Sequence, residues 1–431
     1  MRFLLAATVL LATCAVTVHA QDSTEYQSKK AKLSAIRDAG KRDSHAIPFL
    51  ARYLKDPDSD VRDEAVKSIV RIGTQYSLDP LIQATHDSNA GIQMRAVDGL
   101  VNFYLPGYVT TGGVTRTFTR VSRWVKDQFS NRNDDVVSTG VTVRPEVIEA
   151  IAALIDGGAS MDCRSEAARA AGILRGHAAL PALEKALQSK DTGLIFESLV
   201  AIQKIGDPSA GPSVALLAND FDAQVQAISI ETLGILHNTD AAPQIRQVVN
   251  RPHGERVHRV ALEALAMLAL PEDRKIFLQY KNDKDPELRM AALEGLGRLR
   301  DPQDYPVLEG AFNNEKELKP RLAAAFGLVS EGKVDTNEFS PLRYLVNGLD
   351  LSKGNSASQA YLEELCRRQD VRKALLPLLA KGTKAEKLGL IHALAPNADS
   401  DTDAALSALT QDPDPEVSVA AARQQKIAKT R

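Results

Sequence analysis

A repeat of about thirty residues runs through most of the chain and constrains its fold more than any other feature. The stretch "DKDPELRMAALEGLGRL", residues 283 to 299, contains one copy, with Arg289 as its anchor. Equivalent anchor positions are Arg62, Gln93, Arg164, Ile195, Gln226, His258, Arg289, Arg321, Ser358, Lys387 and Ser418. Adjacent anchors are 29 to 37 residues apart, mostly 31 or 32, except for one step of 71 between Gln93 and Arg164.

Two further columns test this alignment. Three residues after the anchor, nine of the eleven residues are Ala or Ser, which indicates close contact between helix backbones. Seven residues after it, every residue is apolar except Gln425, which belongs to the last repeat, where an outer polar face is needed. The anchor and the residues three and seven positions after it are three and four residues apart, so they share one face of a helix. This spacing predicts a helix that starts just before each anchor.

Acidic residues and prolines mark the helix starts. Asp or Glu recurs six residues before many anchors, and Asp or Asn recurs four residues before, as expected for the N-terminal cap of a helix. Proline recurs about fourteen residues before the anchor, where it fits the first turn of an earlier helix. Each unit is therefore predicted to be helix, acidic turn, helix. Neither helix can bury its apolar face alone, so successive units must stack.

This order and period resemble HEAT-like repeats, in the short bacterial form found in phycobilin lyase subunits and in exported bacterial proteins of unassigned activity. In that family a turn acid and an arginine early in the second helix form a ladder between successive repeats. The matching residues here are Asp56, Arg62, Arg164, Asp283, Arg289, Glu315 and Arg321. The resemblance implies an all-α fold, a right-handed α-solenoid of about eleven HEAT-like helical pairs with one irregular insertion.

The repeats divide the chain into predicted segments. A capping helix is expected within residues 21–43, followed by repeats over 44–104, the insertion over 105–145, and repeats with a C-terminal cap over 146–431. The insertion contains the only tryptophan, and insertions in repeat proteins often lie on the binding face. Its candidate partner-binding residues are Tyr108, Arg116, Phe118, Arg120, Arg123, Trp124 and Lys126. The alternative is that its aromatic side chains only fasten the insertion to the solenoid.

The first twenty residues have the pattern of a secretory signal peptide. Arg2 precedes an apolar stretch, and the small residue Ala20 offers a cleavage site. Export to the periplasm is therefore expected, with secretion or lipidation at Cys14 as alternatives. The mature chain has no predicted transmembrane segment, and its net charge of -2 gives no reason to expect binding to nucleic acid.

The sequence reveals no catalytic constellation, metal site or cofactor motif. The acidic series beginning at Asp56 and Asp399 lack the glycine and glutamate of a calcium loop, and no histidine is followed by glutamate. Cys163 and Cys366 belong to repeats six units apart, so both thiols are predicted to be free. Glu294 is expected to face solvent.

The sequence is compatible with two functions. The favoured interpretation is a monomeric, non-enzymatic exported scaffold that binds a protein or peptide on its concave face, through the insertion, or both. The alternative is an enzyme or enzyme subunit of the HEAT-like lyase type that handles a tetrapyrrole or another small ligand. HEAT-like DNA glycosylases are a further analogy, but they use a basic face that this nearly neutral chain lacks.

Overall fold

The computed structural model describes residues 28–109, 136–138, 140–251, 254–352 and 354–428. Within these ranges the chain forms 23 α-helices and no β-strand. The predicted signal peptide, with Cys14, and the greater part of the predicted insertion lie outside the described residues. None of the described helices is long and apolar enough to cross a membrane.

Helix α1, Lys29–Ala39, precedes eleven helical pairs. The first helices of the pairs are α2 Ile47–Arg52, α4 Leu78–Ala84, α6 Pro145–Gly157, α8 Leu180–Ala186, α10 Gly211–Ala215, α12 Ala242–Val249, α14 Arg274–Tyr280, α16 Tyr305–Asn314, α18 Pro341–Asn347, α20 Gln369–Lys381 and α22 Ser400–Ala408. The second helices are α3 Ser59–Ile72, α5 Ala90–Tyr104, α7 Met161–Ile173, α9 Thr192–Ile205, α11 Ala223–Ile235, α13 Glu255–Leu268, α15 Pro286–Leu299, α17 Leu318–Ser330, α19 Asn355–Leu365, α21 Lys384–Leu394 and α23 Pro415–Ala428. Each second helix packs against the next, so the predicted all-α solenoid is confirmed.

The acidic residues six and four positions before the anchor accept different hydrogen bonds. In the repeat quoted above, the carboxylate of Asp283 accepts from the backbone N–H of Asp285 at 2.9 Å and closes the turn. Asp285 then accepts from the N–H of Glu287 at 3.0 Å and caps α15. Asp56 and Asp58 do the same before α3. The acidic pair therefore fixes where the second helix begins in these repeats.

The column of small residues lies where second helices touch. Ala65, Ala167 and Ala292 have no exposed surface. Glycines on the same helices bring the backbones still closer: a Cβ added at Gly234 would lie 2.9 Å from Cα of Ala264, and one at Gly297 would lie 2.4 Å from Cα of Gly327. Close packing of this kind leaves little room between the inner side chains of adjacent second helices.

This packing corrects one expectation. Glu294 was expected to face solvent, but only 9% of it is exposed. Its helix α15 packs between α13 and α17, and its carboxylate is covered by Arg298 of the same helix and by Tyr361 of α19. The repeat period predicts which position of its repeat a residue occupies. It does not predict how far neighbouring side chains cover that residue from solvent.

The 71-residue step between anchors does not interrupt the solenoid. Helix α5 packs directly against α7. The anchor Gln93 accepts at its Oε1 from the N–H of Ala159 at 2.8 Å and from the thiol of Cys163 at 3.1 Å. The second recognised repeat therefore contacts the third, although residues 105 to 144 separate α5 from α6.

Candidate functional site on the inner surface

Three glutamates occupy the same position in consecutive second helices. Glu231, Glu263 and Glu294 each lie five residues after the anchor of their repeat, on α11, α13 and α15. This set is called the glutamate row below. Because successive second helices pack against each other, the three carboxyl groups come from neighbouring helices at the same point of each repeat.

Glu294 is held in a network of opposite charge. Arg298, four residues later on α15, pairs with Glu294 and also donates from its Nη2 to Glu364 of α19 at 2.8 Å. The hydroxyl of Tyr361, also on α19, donates to Glu294 at 2.9 Å. The ring of Tyr361 stacks on Phe326 of α17 with 4.7 Å between centroids. Helices α15 and α19 are therefore joined across α17.

Glu263 lacks an equivalent of this network. Where α15 has Arg298, α13 has Met267, so the cation one turn along the same helix is missing. In the part of the chain that the structure describes, Glu263 has no hydrogen-bond or ion-pair partner. Burial, followed by the charges of Glu294 and Glu231, raises the pKa of the Glu263 carboxyl to about 8. This carboxyl group therefore holds a proton near neutral pH.

A second polar cluster lies toward the N-terminus. The hydroxyl of Tyr108 donates to Glu166 of α7 at 2.9 Å, and Tyr108 itself is only 3% exposed. Arg169 of α7 donates from Nε to Glu197 of α9 at 3.1 Å. These charges are paired across repeats, in contrast to Glu263.

The predicted partner-binding residues are mostly beyond what the structure describes. Tyr108 is buried between α5 and α7, so its side chain is not presented to a partner. The other predicted contacts lie outside the described residues: Arg116, Phe118, Arg120, Arg123, Trp124 and Lys126.

The ladder residues make a different set of contacts. Arg62 donates to Asp87 of the next repeat at 2.6 Å and to the carbonyl oxygen of Asp56 at 3.0 Å. Arg289 makes the same two kinds of contact, to Glu315 at 2.8 Å and to the carbonyl oxygen of Asp283 at 2.8 Å. Each arginine therefore fastens its own turn and the following one.

Two predicted ladder residues have no acidic partner among the described residues. Arg164 donates from Nε to the carbonyl oxygen of Ile155 at 2.7 Å. The guanidinium of Arg321 lies over the rings of Tyr344 and Phe312, at 4.7 and 5.2 Å from their centroids. A cation over an aromatic ring replaces the ion pair at that step.

Sequence reasoning missed a second ladder in the layer of first helices. Arg246 of α12 pairs with Asp273. Arg274 of α14 donates to Asp304 at 2.7 Å. Both aspartates are fully buried, and each lies just before the next first helix. The signal available in the sequence was an aspartate preceding α14 and α16, about thirty residues apart.

The cysteines and possible metal ligands do not form a reactive centre. Cys163 and Cys366 are buried and free, as predicted. Burial raises the pKa of each thiol to about 12, so neither is a ready nucleophile. Over the described ranges, no group of three or more His, Cys, Asp or Glu side chains is placed to hold a metal ion.

A family model described as HEAT repeats matches residues 24–101 and 257–329. The chain is a HEAT-like repeat protein. The HEAT-like chain is also 26% identical over 188 residues to the bilin biosynthesis protein PecE of Nostoc sp. (strain PCC 7120 / SAG 25.82 / UTEX 2576). This match covers 39% of the chain and 74% of PecE.

Solved structures of similar shape include the complex of CpcE and CpcF of phycocyanin lyase from Nostoc sp. PCC7120. That match has 18% identity and a TM-score of 0.36, and it covers 67% of the HEAT-like chain and 94% of the other. Importin beta matches with 12% identity and a TM-score of 0.38, over 90% of the chain and 57% of importin beta. Similarities this low support no conclusion about function.

The relationship to PecE corrects one prediction. The sequence was interpreted as a non-enzymatic scaffold because no catalytic constellation was found in it. Sequence similarity to a protein of bilin biosynthesis contradicts the non-enzymatic assignment.

Proposed function

We propose that this chain is an enzyme or enzyme subunit of the HEAT-like lyase type that handles a tetrapyrrole or another small ligand on its inner surface. The similarity to PecE over 188 residues carries this proposal. The glutamate row supplies a suitable site, because pyrrole N–H groups are hydrogen-bond donors and carboxyl oxygens accept from them.

Glu263 is the residue we propose for proton transfer. Lyase reactions add or remove a group together with a proton, and a proton donor works best when its pKa lies near the working pH. The Glu263 pKa of about 8 meets this condition. Glu294 is bound by Arg298 and Tyr361, so its role is to keep a fixed negative charge beside Glu263.

A visible absorbance titration tests ligand binding. The purified chain is titrated with biliverdin, an open-chain tetrapyrrole, and in parallel with haem, a cyclic one. We expect biliverdin to give a shifted band that saturates, and Glu263→Gln to weaken this binding at least several-fold. Glu184→Gln, on α8 and outside the row, is the matched control and should bind as the unmodified chain does. No saturable spectral change with either pigment would refute the proposal.

A protein partner is part of the same proposal. Phe221 is fully exposed and Leu216 is 77% exposed, and both lie between α10 and α11. Two large apolar side chains exposed in one short segment between helices favour a contact with another protein there. Phe221→Ser should leave the melting temperature unchanged but weaken recovery of the partner after crosslinking. If the partner is recovered equally well with Phe221→Ser and with the unmodified chain, this surface does not bind the partner.

Export stays a prediction within this proposal. If the signal peptide is cleaved after Ala20, N-terminal sequencing of the exported chain will begin at Gln21. Recovery of an uncleaved chain from the cytoplasm, still beginning at Met1, would contradict the prediction of export.

A further inference from the structure

One acidic residue of the turn ladder lacks the cation that its equivalents bind. Six residues before the anchor, Asp87 accepts from Arg62 of the preceding repeat at 2.6 Å, and Glu315 accepts from Arg289 at 2.8 Å. The equivalent acid in the turn between α10 and α11 is Asp220. This position of the repeat therefore binds a cationic side chain wherever the preceding helix supplies one.

The preceding second helix, α9, supplies no cation to Asp220. Ile195 occupies its anchor position, and the helix contains no lysine or arginine before Lys204, near its C-terminal end. Asp220 accepts at Oδ1 from the backbone N–H of Asp222 at 2.8 Å. Among the described residues, its second oxygen, Oδ2, has no hydrogen-bond partner, and this oxygen is not buried.

A comparable gap in the ladder is filled from within the chain. Asp283 follows the repeat whose anchor is His258, but Arg259, the next residue of α13, donates to Asp285 in the same turn at 2.5 Å. In α9 the residue after the anchor is Phe196. Of the described turns that contain a ladder acid, only the turn before α11 therefore receives no cation from the preceding helix.

Two large apolar side chains are exposed in the same turn. Phe221 directly follows Asp220 and is fully exposed, and Leu216, just after α10, is 77% exposed. Phe221 lies five residues before the anchor, where the other described repeats have no aromatic or large aliphatic side chain. The residues at that position are Pro57, Ser88, Ala159, Lys190, Lys284, Lys316, Gly382 and Pro413.

We propose that the α10–α11 turn, residues 216–222, binds a segment of a partner protein in which an arginine or lysine stands next to a large apolar residue. The partner's cation takes the place of the missing ladder arginine at Oδ2 of Asp220, and a charge-assisted hydrogen bond there orients the segment. The partner's apolar side chain packs on Phe221 and Leu216 and removes them from water. This inference rests on the protein contact within the proposed function and is independent of pigment binding.

Selection of short phage-displayed peptides on the immobilised chain tests the proposal. The library is first depleted on a chain that carries both Asp220→Asn and Phe221→Ser, so the peptides that remain need this turn. We expect them to share a basic residue next to a large apolar one. The Kd of a synthetic fluorescent copy is then measured by fluorescence polarisation. Asp220→Asn keeps an acceptor for the N–H of Asp222 but removes the charge, and should weaken binding about tenfold or more.

Matched variants locate the effect. Asp240→Asn, at an exposed position before α12, and Phe339→Ser, at an exposed position before α18, should leave the Kd unchanged. Ile195→Arg supplies the missing ladder arginine from the chain itself, so it should occupy Asp220 and weaken peptide binding as Asp220→Asn does.

Three results would overturn the proposal: no peptide left after depletion, selected peptides without a basic residue, or an unchanged Kd in Asp220→Asn or Ile195→Arg. None of them bears on the biliverdin titration, so failure of this inference and failure of the proposed pigment binding are distinguishable.

Discussion

Glu263 and Glu294 occupy the same position in successive repeats, yet only Glu294 has an arginine four residues later in its own helix. The helix of Glu263 has Met267 at that position. The Glu294 carboxylate therefore has an ion-pair partner on its own helix, and the Glu263 carboxyl group does not. The unpaired group has its pKa raised to about 8. Perturbed groups of this kind are concentrated at functional sites.

Replacing Glu263 should change how stability depends on pH. The ordinary pKa of glutamate is about 4.3, so between that value and the folded-state pKa the folded chain holds a proton that the unfolded chain has released. Stability should therefore fall as pH rises through this window, and the loss is complete above the folded-state pKa. Glu263→Gln avoids this loss.

Thermal unfolding at several pH values measures the difference. Glu263→Gln should match the unmodified chain near about pH 4 and exceed its unfolding free energy by about 1 kcal/mol or more near about pH 9. An equal difference at both pH values would show that the effect is not due to ionisation.

Removing Arg298 should destabilise the inner surface. Arg298→Met would leave Glu294 and Glu364 without their shared cation, and loss of one partner from a largely buried pair costs about 3 kcal/mol. Lys185→Met is the control, because its pair with Asp156 is exposed and should contribute less than about 1 kcal/mol. Similar losses in denaturant unfolding would mean that the network does not support the fold.

A backbone prediction concerns the end of α13. Ala269 has a φ of 50°, in the left-handed region where glycine normally ends a helix. Ala269→Gly should stabilise the chain by up to about 1 kcal/mol, because it removes the strain of the Cβ. Ala264→Gly, in a regular and buried part of the same helix, should instead destabilise by about 1 kcal/mol. Calorimetry should show melting temperatures that move in opposite directions.

The small column supports a packing prediction. Ala292 is completely buried between second helices, so Ala292→Leu should cost about 1 to 3 kcal/mol through overpacking. Lys316→Leu, at an exposed turn position, should change the melting temperature little. Equal losses in the two variants would mean that the assigned column does not lie at a helix contact.

The sequence was sufficient to predict the repeats, because small and apolar residues recur at fixed distances from each anchor. Ala292 could be placed in the core from its column alone. Glu294 could not, since its burial depends on contacts with Arg298 and with Tyr361, which lies 67 residues away in the sequence.

The candidate site was also hidden from sequence reasoning. Glu263 has no cation one turn along its helix, because Met267 stands where the next repeat has Arg298. The effect of that difference on the Glu263 carboxyl group depends on the neighbouring helices α11 and α15. The family motif describes the ladder of acids and arginines at the turns. It therefore gives no information about the glutamate row, which lies within the second helices.

Hydrogen exchange with and without bound biliverdin tests the central claim most directly, because it locates the ligand on the chain. We expect biliverdin to slow exchange in α11, α13 and α15, the helices that carry Glu231, Glu263 and Glu294, and Glu263→Gln to reduce this protection. Protection confined to other helices, such as α3 and α5, or none at a saturating concentration of biliverdin, would contradict it.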